Sequence, residues 1–306
     1  MFQSFDERQP VLVVSHPVMG DHGYDDHDEH PRRLQAAMAG VASAAASGVE
    51  LIMVEAQPVS PALLARVHAP TYLSALAAGT LAATPDNPIT SGTWEAARYA
   101  AGAGPTAVAV WSAGGPRRAC AVVRPPGHHA HPDRAGGFCY LNNAVITAAA
   151  LHEHGQHRVA LIDLDYHHGD GSAAFAELDE RLFYGSVHAD PALSWPGTGA
   201  ATDHPRLCHL PMPRRCGDGR WLAGVDRLLS RADAFAPEAI VLSFGTDALA
   251  GDPVGDLGLS QDALASAVRR VVRRFAALPI ISLLEGGYDE PALAEAMARH
   301  LHALSG

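Results

Sequence analysis

The sequence predicts an α/β fold, a single-domain open parallel sheet covered by helices on both faces, on three observations. Short apolar or β-branched runs alternate with Ala-rich helical stretches, the pattern of strands joined by crossover helices. Clusters of polar residues follow the ends of these runs, where open parallel sheets bind their ligands. No Pro/Ser-rich linker or block of charge divides the 306 residues, so one domain over 1–306 is expected.

Taken in order, the strands are expected at Val11–Ser15, Ala119–Val123, Val159–Asp165, Leu182–His188, Ala239–Phe244 and Ile280–Glu285, each short and rich in Val, Ile, Leu or Phe. In the third run Asp163, Asp165 and His167 alternate with Ile162, Leu164 and Tyr166, and a strand of period two would aim all three polar groups at one face. Between the last two strands, 262–278 reads as a helix whose Leu264, Val268, Val271, Val272 and Phe275 form a stripe opposite Arg269, Arg270, Arg273 and Arg274. In the final helix Asp289 is placed to cap the start and Pro291 stands just inside.

Composition excludes several function classes. Hydrophobic residues make up 48% of the chain, enough for a large core. No stretch approaches the roughly 18 uninterrupted apolar residues of a membrane span, so no membrane partner is expected. MFQSFDERQP at the N-terminus carries acidic and polar residues where a secretory signal has a basic and then an apolar region, which makes the cytoplasm the expected compartment. Cys120, Cys139, Cys208 and Cys216 form no CxxC pair, so neither a thiolate zinc knuckle nor a disulfide framework is expected. A formal net charge of -11 argues against nucleic acid and suits cationic substrates.

Four segments hold the chemistry: RPPGHHA from Arg124, DLDYHHGDG from Asp163, FGTDA from Phe244 and LEGGY from Leu284. Buried unpaired, such polar groups are costly, and a cation removes the cost. Asp165 and His167 can chelate one ion while Asp247 adds a third ligand; three N/O ligands with a position left for water describe a catalytic rather than a structural metal site. His128 and His129 sit in a Pro-Pro-Gly turn, and one of them can act as a general base with Asp163 and Asp170 available to orient the rings. The phenol of Tyr288 can stabilise an oxyanion, although GGY after a strand is also an ordinary turn. Gly136-Gly137-Phe138 reads either as an anchored loop or as the wall of a narrow channel. His152, His154, His157, His204, His209, His300 and His302 fall on expected helix surfaces or loops and receive no role.

These segments, with GGFCYLNNA and the SVHADP stretch at Ser186, resemble in order and spacing the motif series of the histone deacetylase and acetylpolyamine amidohydrolase superfamily, from about Ile89 to the C-terminus. The resemblance implies an arginase/deacetylase-like sheet and a zinc-dependent amidohydrolase. Asp165, His167 and Asp247 would hold zinc, a set that also suits iron or cobalt. His129 would be general base and acid, Tyr288 the oxyanion donor, and Asp163 and Asp170 the carboxylates behind His128 and His129. Phe138 and Trp195 would flank the acyl-amine tunnel, with the Gly137 carbonyl facing the substrate NH. A structural K+ or Na+ would use Asp163, Ser186 and the backbone oxygens of Asp165, His167 and Val187.

The N-terminal third matches the family less closely. GTWEAA at Gly92 resembles the acetylpolyamine enzymes, whereas the short connection from Tyr72 to Ile89 lacks the insertion that narrows their mouth. Asp86, in PDNP, is either the rim acid of lysine deacetylases or a turn aspartate. Asp21, Asp25, Asp26, Asp28 and Glu29 form an acidic loop that is either an attractor of amine cations or an ordinary exposed loop. The expected substrate is an acetylated lysine peptide or similar long-chain amine, with an acetylpolyamine as the alternative. A silent acyl-binding module would have lost Tyr288 or a ligand, and an arginase-like ureohydrolase would need a two-metal set of aspartates that DLDYHHGDG does not complete. Homo-oligomers remain open.

Overall fold

In the computed structural model, which describes residues 9–24, 26–202 and 204–306, eight parallel strands form one open sheet in the order β2-β1-β3-β8-β7-β4-β5-β6. The elements run β1 (Val11–Ser15), α1 (Arg32–Ala46), β2 (Leu51–Glu55), α2 (Pro61–Val67), α3 (Pro70–Ala77), α4 (Thr93–Ser112), β3 (Arg118–Ala121), α5 (Asn143–Glu153) and β4 (Val159–Asp163). They continue with α6 (Asp170–Leu178), β5 (Leu182–Ala189), β6 (Leu207–Met212), α7 (Gly217–Ala234), β7 (Ala239–Phe244), α8 (Gln261–Arg274), β8 (Ile280–Leu284) and α9 (Glu290–Ser305). Helices α1, α9, α8 and α7 pack in succession, and α4, α5 and α2 in another row. Strands β3, β4, β5, β7 and β8 are buried along their whole length, as strands covered on both faces must be. No helix among the described residues is long and apolar enough to cross a membrane.

Six strands fall where the sequence places them, with ends shifted by one or two residues; β2 and β6 were not expected. Both are edge strands. β2 exposes Ile52 and Met53, so it lacks a clear buried face, and β6 contains Pro211, which an edge position tolerates because one side of the strand needs no ladder partner. Helix α8 ends at Arg274, four residues short of the expected limit, but its stripe from Leu264 to Phe275 is buried as anticipated. At α9 the Asp289 carboxylate accepts the Ala292 N–H at 3.0 Å, the expected cap.

Two histidines depart from the surface positions expected of them. His209 lies in β6 and is buried, and His300 in α9 stacks on Phe244 with ring centroids 4.0 Å apart. The helix periodicity that makes a residue look exposed does not register an aromatic neighbour arriving from a strand.

Candidate active site

Strand β4 stops at Asp163, so the convergence of Asp163, Asp165 and His167 does not arise from the strand pleat as expected. The backbone instead makes two successive turns in which the Asp163 carboxylate accepts the Asp165 N–H (3.1 Å) and the Asp165 carboxylate accepts the His167 N–H (2.8 Å). These turns fold the carboxylates inward beyond the strand end. From β7, Asp247 comes to the same point and accepts the Tyr166 N–H at 3.1 Å; from β8, the Gly286 N–H donates to Asp165 at 2.9 Å. A Cβ on Gly286 would lie 2.8 Å from the Asp165 carboxylate, so this close approach requires glycine.

Ligand atoms of Asp165, His167 and Asp247 lie within 4.8 Å of one another. His167 Nδ1 is 3.1 Å from Asp247 and 3.3 Å from Asp165. Burial pushes the Asp247 carboxyl up to about 7, with the neighbouring Asp165 charge adding to it. Burial would also raise Asp165, but His128 and His167 hold it well below the usual carboxylate range. For His167, burial works downward and is outweighed by the two carboxylates, which bring it up to about 9. Two buried carboxylates and an imidazole on one point fit a divalent cation, which relieves the repulsion between the acids and displaces the protons. Because binding must expel a His167 proton below pH 9 and an Asp247 proton as well below pH 7, the apparent Kd for zinc should weaken by about tenfold per pH unit on falling from 9 to 7 and more steeply below. Calorimetric titration across that range checks this, and a pH-independent affinity would contradict it.

The tandem histidines stand beside this cluster with ring centroids 3.9 Å apart. His128 Nδ1 lies 3.1 Å from Asp163, and His129 Nδ1 2.7 Å from Asp170, whose other oxygen meets His131 Nε2 at 2.9 Å. Each carboxylate thus takes the Nδ1 side and leaves Nε2 for the pocket. The two rings differ electrostatically. Burial pulls His129 down to about 3, helped by the neighbouring His128, so it is neutral at physiological pH. His128 is pulled down by burial too, but Asp165, Asp163 and Glu285 together lift it well above the usual imidazole range.

A cavity of about 260 Å³ opens over these groups. Its walls include Phe138 and Trp195: Trp195 packs edge-on to His129 at 4.5 Å, and Phe138 edge-on to Tyr288 at 5.6 Å. Gly137 and Phe138 both have positive φ, +49° and +68°, a strain rarely held by an aromatic residue without reason. Gly137 and Phe138 thus stand in the wall of this cavity. The Gly137 carbonyl accepts the Cys139 thiol at 3.2 Å. Tyr288 lines the cavity with its backbone N–H held by Asp252 at 2.7 Å, and burial keeps its phenol protonated by raising it far above its ordinary value. Asp86 lines the same cavity. Ser186 is the direct β5 neighbour of Asp163 on β4; its hydroxyl pairs with His188 at 2.8 Å, and the Val187 carbonyl accepts the Trp221 indole at 3.3 Å.

Several site residues were not read from the sequence. Glu29, placed there in an acidic exposed loop, is buried: it pairs with Arg33 at 2.9 Å, and Arg124 Nε lies 2.8 Å away, close enough for an ion pair though not aligned for a hydrogen bond. Asp25 of that loop lies outside the described residues. Arg33 also donates to the carbonyls of Glu285 and Gly287 and lies 4.8 Å from the Tyr288 ring centroid, so this buried pair supports the oxyanion-side loop. With both partners 1% exposed, Glu29→Ala leaves two guanidinium groups without their counter-charge and should cost about 3–5 kcal/mol in urea unfolding; a change under about 1 kcal/mol would show the pair to be solvated. His131 and Glu285 were missed as well. His131 directly follows a motif that was read, and its link to Asp170 is a contact across 39 residues that spacing cannot reveal.

The chain matches the histone deacetylase domain over residues 27–304. It is 35% identical over 217 residues to acetylpolyamine amidohydrolase 1 of Pseudomonas aeruginosa, covering 67% of this chain and 61% of that protein. To the histone deacetylase-like amidohydrolase of the same organism it is 34% identical over 283 residues, covering 88% and 73%. Among solved structures, the HDA15 HD domain superposes with a TM-score of 0.89 at 27% identity, covering 97% of this chain and 90% of that one. The chain thus spans about three fifths of the length of the acetylpolyamine relative it matches. With a matched domain that takes in the histidine pair, the Asp165–His167–Asp247 cluster and Tyr288, this chain belongs to the histone deacetylase family.

Proposed function

We propose that this protein is a metal-dependent amidohydrolase that removes acetyl groups from amines carried on a long, slender alkyl arm. The observation that carries the reading is a carboxylate-backed His129 in one apolar-walled cavity with Tyr288 and with His167 of the Asp165–His167–Asp247 cluster. Those three ligands would hold zinc, or iron or cobalt, and the bound ion would supply Lewis acidity towards the amide carbonyl and a water molecule. His129 takes a proton from the attacking water and returns it to the leaving amine nitrogen, while Asp170 holds the ring in one tautomer and stabilises its cation. His128, beside Asp163, keeps positive charge next to the developing anion. Tyr288 donates its O–H to the carbonyl oxygen as that oxygen gains charge. Phe138 and Trp195 exclude water and fit an alkyl chain rather than a branched one. Asp163, Ser186 and the backbone oxygens of Asp165, His167 and Val187 would also hold a K+ or Na+ behind the site, an assignment supported by the neighbouring positions of Asp163 and Ser186.

For the amine, we infer an acetyl-lysine side chain, with small acetylated polyamines as the second substrate class because several matched relatives are named for them. The short connection before Ile89 leaves the rim open to a peptide backbone, and Asp86 at the cavity can accept its N–H groups. The loop bearing His27 reaches the channel wall, its imidazole 4.8 Å from the Phe138 ring, and is the element that could narrow the mouth instead. The test is kcat/KM over acetyl-lysine peptides and acetylated polyamines for wild type and Asp86→Ala. Peptides should be cleaved and should lose about tenfold on substitution, the scale of one lost charged hydrogen bond, with a small acetylated amine less affected. Inert peptides beside efficient polyamine turnover would overturn the lysine assignment.

A further inference from the structure

Glu285 has no exposure to solvent and, apart from its charge beside His128, takes no part in the hydrolysis just described. It directly follows β8 and stands three residues before Tyr288. One of its oxygens accepts two successive backbone N–H groups, Gly127 at 2.7 Å and His128 at 3.2 Å; the other accepts the Ser243 hydroxyl at 2.8 Å. Ser243 is in turn the β7 neighbour of Asp163 on β4, the strand that leads into the metal cluster. One carboxylate therefore joins the histidine loop, the strand beside the ligand strand and the strand end that delivers Tyr288. Two consecutive N–H groups aimed at one oxygen form a nest for an anion. A buried carboxylate serves packing poorly, since an apolar side chain of similar volume fills the same space without the desolvation cost. Its geometry is explained by what it holds.

We propose that Glu285 is a positioning residue whose carboxylate, by binding the Gly127 and His128 N–H groups, sets the two imidazoles in place over the Asp165–His167–Asp247 cluster and ties their loop to the segment carrying Tyr288. The inference rests on the amidohydrolase reading above. Reach, rather than charge, is the property required. Gln keeps one oxygen for both N–H groups and can turn its amide NH2 towards the Ser243 oxygen. Asp keeps the charge but withdraws it by one C–C bond, about 1.5 Å.

The test compares Glu285→Gln, Glu285→Asp and Glu285→Ala in the zinc-loaded, full-length enzyme. Asp and Ala should each lower kcat by about a hundredfold, the effect expected of a displacement near 1 Å at the reacting groups, with KM nearly unchanged and zinc retained. Gln should recover kcat to within a few-fold of wild type. In 15N spectra of the histidine rings, His128 and His129 signals should move in the Asp variant and stay in place in the Gln variant. Near-normal kcat for Asp, or Gln as impaired as Ala, overturns the proposal, and this pair decides the matter even if Ala does not fold. A wild-type protein inert to every acetylated amine would refute the amidohydrolase reading instead; the ring signals then decide, and unmoved signals in the Asp variant overturn the positioning role.

Discussion

Asp247→Ala is expected to abolish turnover and to strip the protein of its divalent ion. Asp247 supplies one of the three ligand side chains that the described residues bring together there, and the remaining pair, Asp165 and His167, comes from a single short turn. Losing a group that merely supports a ligand typically weakens metal affinity by about 10–100-fold, and loss of a ligand itself should exceed the upper figure. The apo variant should nevertheless stay folded, because the substitution removes a buried carboxylate from beside another acid. Metal content by elemental analysis, read with a thermal melt of the apo protein, separates loss of the ion from loss of the fold. Full activity or full metal content in Asp247→Ala would refute the ligand assignment.

The second large effect concerns proton transfer and the oxyanion. His129→Ala should lower kcat by roughly a hundredfold or more, the range for a positioned general base. Tyr288→Phe should lower it by about 10²–10³, as for loss of one oxyanion donor. Both groups act mainly on the transition state, so KM should change little and a hydroxamate inhibitor should still bind either variant. Such an inhibitor replaces the amide and water at the metal and needs neither residue to remain in the pocket. A near-normal kcat in either variant would show that its role is misassigned.

The sequence made the central strands legible because each is an apolar run ending in a polar motif, and the sheet brings those ends together. The edges were not legible: β2 lacks a buried face and β6 carries a proline. Within the site, His128, His129, Gly137, Phe138, His167, Trp195 and Tyr288 line one cavity, but the cause proposed for one convergence was different. Asp163, Asp165 and His167 converge through side-chain-to-backbone turns, a feature that resembles strand alternation in sequence because both have a spacing of two. What motif reading could not supply were the long-range ion pairs. Glu29 and Arg124 are 95 residues apart, and an acidic loop residue looks solvated until its buried partner is known. Glu285 lay within a quoted motif, yet its significance rests on the N–H groups of Gly127 and His128, more than 150 positions away.

The most direct test is to incubate zinc-loaded protein, chelated protein and chelated protein resupplied with zinc with an acetyl-lysine peptide and an acetylated polyamine, measuring acetate and free amine together. The account expects equimolar acetate and amine from the zinc-loaded and resupplied samples and neither from the chelated one. Undiminished turnover after chelation, or no acetate from any substrate by fully metal-loaded protein, would contradict it.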